Sequence, residues 1–286
     1  MSLFYVDSSS ELTFEQTKML GIERIEVPYS FDGHKVVMEN NFDFTKFYSK
    51  FKKGIEISSI SMSIIDYINA FEPALKQNDD IVYVHTSGGI VNIDELLEAK
   101  NKLLAKYPDR RIELIDSGSF SIGYGIVAYN LAIKYRNGAT IDELVDYADK
   151  IKKDYSTYFL LDGFNVISNN NLIVGSNVVA SALSVKPIIS TDIDGNFELT
   201  DKVSGRKKGV LELIKYIRET GENVADYPIV ILYSNNINEA EEFKTKIIDL
   251  YGEDIKLFML KLTPSNASII GINSLGLSFH THRKIY

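Results

Sequence analysis

Between residues 81 and 135 the chain alternates twice between a short run of β-branched and large apolar residues and a helical stripe. The apolar runs fall at 81–85 and 112–115, and helical spacing runs over about 92–105 and 120–135. A strand followed by a helix and a second strand pairs in parallel through a right-handed crossover, so this order predicts an α/β fold with a doubly wound parallel sheet. The start of the chain has the same form. Residues 3–6 read as a strand that ends at Asp7-Ser8-Ser9-Ser10 and leads into a helix capped by Thr13 with Gln16.

Each run ends in small polar residues. Thr86-Ser87-Gly88-Gly89 follows the first run and Asp116-Ser117-Gly118-Ser119 the second. Residues 57–63 place hydroxyls ahead of a helix that starts at Ile64, with Ser63 as N-cap and Asp66 in the capping-box position. If all three strands lie parallel in one sheet, the three turns emerge along one edge. Open α/β sheets bind ligands there, and helix N-termini offer unpaired N–H groups to an anion. Ser59, Ser61, Ser63, Thr86 and Ser87 are therefore expected near one small-molecule site for an acidic or hydroxyl-rich head group. Gly88 and Gly89 would allow close backbone approach.

Around this frame, residues 25–29 read as a strand that Pro28 places at an edge, and residues 43–51 as a short aromatic helix. Thr140 with Glu143 caps a helix that ends near Lys153, closing a first domain at residues 1–155, an ordinary domain size of roughly 150 residues. Residues 156–286 read as an α+β domain with a mixed sheet. A strand at 157–161, a polar loop at 169–171 and a helix at 177–183 come first. Strands beside Asp194-Gly195-Asn196 form a hairpin. Helices at about 206–219 and 238–250 then alternate with strands at 229–233 and 255–260, and a last strand covers 275–279. No Gly/Pro-rich linker marks the boundary, which predicts packed domains with a cleft between them.

Composition removes several function classes. A net charge of −8 and a pI of 5.2 argue against a nucleic-acid partner, which needs a basic face. The compact basic cluster is Arg206-Lys207-Lys208, weighed as an anion or partner contact against a solvated helix start. The absence of cysteine excludes disulfides and thiolate chemistry. No window approaches about 18 apolar residues, so the chain is expected not to be membrane-embedded. The N-terminal residues lack a signal peptide's basic start and apolar core, and a cytoplasmic location is expected.

A serine nucleophile would need a base from His34, His85, His280 or His282, and no G-x-S-x-G elbow is present. Residues 123–128 fit a loose G-x-G-x-x-[GA] pattern but lie inside a helix, where the glycines serve close packing. His280 and His282 lack a third metal ligand nearby, and Asp7 and Asp116, weighed as an acid/base pair, read more simply as turn caps. No catalytic residue, metal or cofactor is predicted.

The order of motifs resembles the DegV family of bacterial fatty-acid-binding proteins, which includes the binding subunits of fatty acid kinase. The carriers are Tyr5-Val6-Asp7-Ser8-Ser9, the Ser59-to-Ser63 turn, Thr86-Ser87-Gly88, Asp116-Ser117-Gly118-Ser119 with Gly123 and Gly125, Lys186-Pro187, Gly205-Arg206-Lys207-Lys208 and residues 275–279. The resemblance implies a non-catalytic two-domain protein holding a long-chain fatty acid. Its tail would lie in an apolar tunnel in the second domain, with the carboxylate near the domain interface. Head-group positions fall on Ser59, Ser63, Thr86 or Ser87 with Gly88, and Asn273; Ser274 and Phe279 complete the expected binding set. Three positions depart from the family pattern: Ile90 stands where a serine is usual, Ile269 where a histidine is common, and Asn171 beside the position of an arginine that contacts the kinase catalytic subunit in kinase-coupled members. The rival readings are a hydrolase or phosphotransferase acting at the serine turns, and a sensor or adaptor for another small amphiphile.

Overall fold

The structure is a computed structural model and describes residues 2–169, 173 and 184–281. The first half contains β1 (Ser2–Asp7), α1 (Phe14–Leu20), β2 (Glu23–Ile25), β3 (Tyr29–Phe31), β4 (His34–Val36), α2 (Phe44–Lys52), β5 (Ile57–Ser59), α3 (Ile64–Lys76), β6 (Asp80–His85), α4 (Asp94–Lys106), β7 (Ile112–Asp116), α5 (Ile122–Arg136) and α6 (Ile141–Ile151). The second half adds β8 (Tyr155–Leu160), α7 (Phe164–Asn169), β9 (Val185–Thr191), β10 (Phe197–Ser204), α8 (Arg206–Thr220), β11 (Ile229–Tyr233), α9 (Ile237–Tyr251), β12 (Leu257–Lys261), α10 (Pro264–Ile270) and β13 (Leu275–His280). The helix expected at 177–183 and the loop residues Asn170 and Asn171 lie outside the described residues.

Four strands form the parallel sheet that the alternation predicts, in the order β2-β1-β6-β7. A second sheet, β10-β9-β8-β13-β11-β12, is mixed: β11 and β12 run parallel and the other neighbours antiparallel. The Asp194-Gly195-Asn196 hairpin joins β9 to β10 as expected. Thr13, Ser63 and Thr140 all cap their helices in reciprocal capping boxes with the residues three positions on.

Two strand expectations are corrected. β5, the strand behind the 57–63 turn, is not in the parallel sheet; it pairs antiparallel with β3, Tyr29 opposite Ser59, in a small sheet of order β4-β3-β5. The reason lies in its residues. A strand inside a parallel sheet is covered on both faces and reads as a continuous apolar run, as Ile81 to Val84 does, whereas Ser58 and Ser59 are exposed. The expected single strand at 25–29 divides at Pro28. Its start pairs with β1 and its end begins the small sheet, because proline supplies no N–H to a ladder.

Helix α5 joins the two large sheets. Its first two turns are buried all round, from Ile122 through Tyr124 and Val127 to Ala128, and Leu131 and Ala132 continue the buried face, whereas Tyr129 reaches solvent. The helix packs on β1 from one side and on β8, β11 and β13 from the other. Gly125 makes the approach possible, since a Cβ there would overlap the backbone carbonyl oxygen of Ser10. One core therefore runs across residue 155, from Phe4, Val6 and Val82 to Phe159, Val230 and Leu232. A second core lies between the mixed sheet and α8 and α9, and a third between the parallel sheet and α3 and α4.

Candidate functional site

A cavity of about 370 Å³ opens at the C-terminal edge of the parallel sheet, within the range of small-molecule sites. Its wall comes from the ends of β1 and β6, from residues 59–62, and from the loop that leads from β6 into α4. The second half, expected to hold the acyl tunnel, contributes Phe197 from β10 and Ser265, Asn266 and Ile269 from α10.

The cavity has two sides because strand side chains alternate. Phe4, Val6, Val82 and Val84 face α5, whereas Tyr5, Ile81 and Tyr83 face α3 and α4. Toward the second half lie Thr86, Phe120, Phe197, Asn266, Ile90 and Ile269; on the α3 and α4 side lie Asp7, Met62, Tyr67, Tyr83, His85 and Leu96.

The sequence-predicted residues separate into groups. Ser59 and Ser61 are solvent-exposed and line the cavity where it opens. Ser63 is absent from the wall. Its Oγ accepts from Asp66 N–H at 3.2 Å and donates to Asp66 Oδ2 at 2.8 Å, while Ile64 N–H donates to Glu95 Oε2 at 3.0 Å. The α3 N-terminus already holds two carboxylates, so it offers no vacant anion position. Ser87 and Gly88 also serve the turn: Ser87 Oγ accepts from Gly89 N–H at 3.2 Å, and Gly88 N–H donates to Asp116 Oδ2 at 2.9 Å.

Thr86 differs from both. It is 4% exposed, lines the cavity, and its Oγ1 has no hydrogen-bond partner among the described residues. Ile90 and Ile269, from opposite halves, both line the cavity. Asn273 instead donates to Asp162 Oδ2 at 3.1 Å, and Ser274 Oγ donates to the carbonyls of Ile270 and Gly271 at 2.7 and 3.0 Å. Phe279 fills the core beneath α8 and α9. Arg206 is clamped by both carboxylate oxygens of Glu239 at 2.8 Å, while Lys207 is exposed. Asn171 lies outside the described residues.

Sequence reasoning gave no ligand role to Ser265, Asn266, Tyr67 or Tyr83, and weighed Asp7 and His85 only as cap and base. Thr263 followed by Pro264 was an available signal for α10, since an N-cap residue before a proline at the first helical position starts a helix. Asn266 is fixed from behind: its Nδ2 donates to Ser9 O and to Glu11 Oε1, both at 2.8 Å. Glu11 is buried and also accepts from Ser121 Oγ at 2.7 Å and Thr263 N–H at 2.8 Å. Burial pushes its carboxyl up to about 7, against the pull of those donors. Burial likewise raises Asp7, which the Tyr83 hydroxyl and the Ser9 amide pull back down.

Among the described residues no lysine or arginine lines the cavity. Among the described residues no serine or threonine hydroxyl is hydrogen-bonded to a histidine ring; His85 Nδ1 meets Thr86 O and His280 Nδ1 meets Glu222 O. No group of three or more His, Cys, Asp or Glu among the described residues could hold a metal, and no described helix is long and apolar enough to cross a membrane.

A parallel sheet tied through one helix to a mixed sheet, with a cavity at the strand ends, defines an α/β protein built to hold a small molecule. The chain belongs to the DegV family, a family of uncharacterised proteins that matches residues 5–282. A DegV domain-containing protein of Clostridium perfringens is 26% identical over 253 residues, 87% of each chain. Among solved structures, a stearic acid-binding protein from Eubacterium ventriosum superposes with a TM-score of 0.85 at 18% identity, covering 99% of both chains. A fatty-acid-binding DegV family protein from Thermus thermophilus gives 0.83 at 18% identity, covering 98% of this chain and 99% of that one. At such identities the likeness carries the fold.

Proposed function

We propose that this chain is a non-catalytic lipid-binding protein that holds one long-chain fatty acid, its carboxyl group at Thr86 with Ser59 and Ser61 beside it. The tail runs past the sheet edge toward Met62 and Leu96. The observation that carries this reading is Thr86 Oγ1, a buried hydroxyl without a partner among the described residues, on the wall of a cavity that mixes apolar and polar side chains. A buried hydroxyl left unpaired costs about 1–3 kcal/mol, and an acyl carboxyl oxygen removes that cost. Each methylene withdrawn from water adds about 0.8 kcal/mol, so the tail supplies most of the affinity and the head group needs only to be satisfied. The fatty-acid ligands of the E. ventriosum and T. thermophilus proteins support the same reading.

With no lysine or arginine among the described residues of the wall, hydroxyls and amides hold the carboxyl. Ile90 and Ile269 stand where the family pattern has polar residues, which leaves Thr86 and Ser59 a larger share of head-group recognition. Arg206, occupied by Glu239, offers no free charge to a fatty acid kinase subunit, and the proposal is confined to holding lipid.

Organic extraction and native mass spectrometry of the purified protein test the proposal, together with thermal shift on adding palmitate or oleate. A copurifying single-chain fatty acid and a raised melting temperature are expected. No lipid and no shift would defeat the reading. Thr86→Val, which exchanges the hydroxyl for a methyl of similar size, is expected to weaken binding about tenfold.

A further inference from the structure

The tail side of the cavity is more polar than an alkyl chain requires. The alternation that turns Tyr5 and Tyr83 toward α3 and α4 also carries Asp7 and His85 to that face, and both line the cavity with Tyr67 and Tyr83. A methylene offers these groups nothing, so each must be satisfied inside the protein or by the ligand.

Most are satisfied inside. The Tyr83 hydroxyl donates to Asp7 Oδ2 at 2.6 Å, and Ser9 N–H donates to Asp7 Oδ1 at 2.7 Å. The Tyr124 hydroxyl behind them donates to Val84 O at 2.6 Å and accepts from Asp7 N–H at 3.0 Å. His85 is the exception. Its Nδ1 lies 2.7 Å from Thr86 O, an atom that only accepts, so in the neutral ring Nδ1 carries the proton and Nε2 is left as an acceptor. The ring is 5% exposed, and no described residue donates to Nε2. The Tyr83 hydroxyl and the Ser9 amide are committed to Asp7, and acceptor capacity remains at His85. A donor on the ligand would complete this acceptor.

We infer that the preferred ligand is a long-chain fatty acid bearing a hydroxyl within a few carbons of its carboxyl, the hydroxyl donating to His85 Nε2. The position follows from the chain: His85 and Thr86 are consecutive, with Cα atoms about 3.8 Å apart, but their side chains lie on different sides of the cavity, so the hydroxyl falls a few carbons along from the carboxyl rather than beside it. An ether or ketone there does not serve, because it too only accepts. This inference rests on the fatty-acid reading and narrows it.

The test is calorimetric titration of the delipidated protein with palmitate and with 3-hydroxypalmitate. The hydroxylated acid is expected to bind about tenfold tighter, the effect of one well-formed buried hydrogen bond. In His85→Leu the two acids should bind within roughly twofold of each other, by the same reasoning. Palmitate binding as tightly as 3-hydroxypalmitate to the wild-type chain would overturn the inference while leaving fatty-acid binding intact, and this comparison does not depend on whether the variant folds. A preference that persists in folded His85→Leu would also overturn it. Binding of neither acid would remove the fatty-acid reading itself.

Discussion

Gly195, at the tip of the β9–β10 hairpin, packs directly on Ser87 in the loop after β6: a Cβ on Gly195 would overlap Ser87 Oγ and stand 3.0 Å from Ser87 Cβ, with Gly118 Cα 3.3 Å away. The neighbouring contact is equally close, since a Cβ on Gly89 would lie 2.6 Å from Asn196 Oδ1. Two residues beyond Gly195, Phe197 meets Phe120 edge to face at 5.1 Å between ring centroids, and both rings wall the cavity. The second half thus covers the site through a hairpin seated on the loop that carries Thr86.

Gly195→Ala should disturb this seating in two ways. At φ +81° an alanine is strained, and its methyl has no room against Ser87. A loss of about 2–4 kcal/mol in stability is expected, with faster release of bound lipid. Chemical denaturation and a dissociation-rate measurement check this; unchanged values for both would show that the tip does not bear on the cavity.

Glu11 should make stability depend on pH. Its folded carboxyl titrates at about 7, raised by burial from 4.5, so between those values the folded chain keeps a proton that the unfolded chain has released. The associated stabilisation is complete below pH 4.5 and is lost as pH rises to about 7, an upper figure of about 3 kcal/mol. Asp7, also raised by burial, acts with the same sign. Unfolding free energies measured at pH 5 and pH 8 should therefore fall toward the higher pH, and the fall should be smaller in Glu11→Gln.

Two serines of the 57–63 segment should respond oppositely. Ser63→Ala removes the α3 cap and is expected to cost about 1 kcal/mol of stability without changing lipid affinity. Ser59→Ala should leave stability within about 0.5 kcal/mol, being exposed, and should weaken binding of a fatty acid more than of its methyl ester. Equal losses for acid and ester would separate Ser59 from the carboxyl group.

Gly125→Ala is expected to be more damaging than either serine change. The obstructing atom is the backbone oxygen of Ser10, which cannot rotate away as a side chain can, and the contact joins α5 to the turn after β1. A loss of about 3 kcal/mol or failure to fold is expected, read by circular dichroism and expression of soluble protein.

Features decided within a few residues were legible. The capping boxes at Thr13, Ser63 and Thr140 and the hairpin at Gly195 formed where their residues predicted, because each is satisfied by its immediate neighbours. The parallel sheet was legible from the alternation, since an apolar run between helices has few other places to go. Of the expected head-group residues, the sequence marked Ser59, Ser61 and Thr86, which reach the cavity, in the same terms as Ser63 and Ser87, which do not. A hydroxyl that caps a turn and one that faces a ligand are alike until the surrounding donors and acceptors are known.

The sequence alone therefore determined the local elements, the α/β character of the first half and the family pattern. The tertiary structure decided which sheet β5 joins, that the first turns of α5 are buried between two sheets, and that Ile90 and Ile269 both line the cavity. It also decided that Thr86 Oγ1 is left without a partner while Ser63 Oγ is not. These outcomes depend on groups brought together from distant parts of the chain. Hydrogen-bond satisfaction and burial are properties of that assembly, whereas propensity, periodicity and capping act between neighbours.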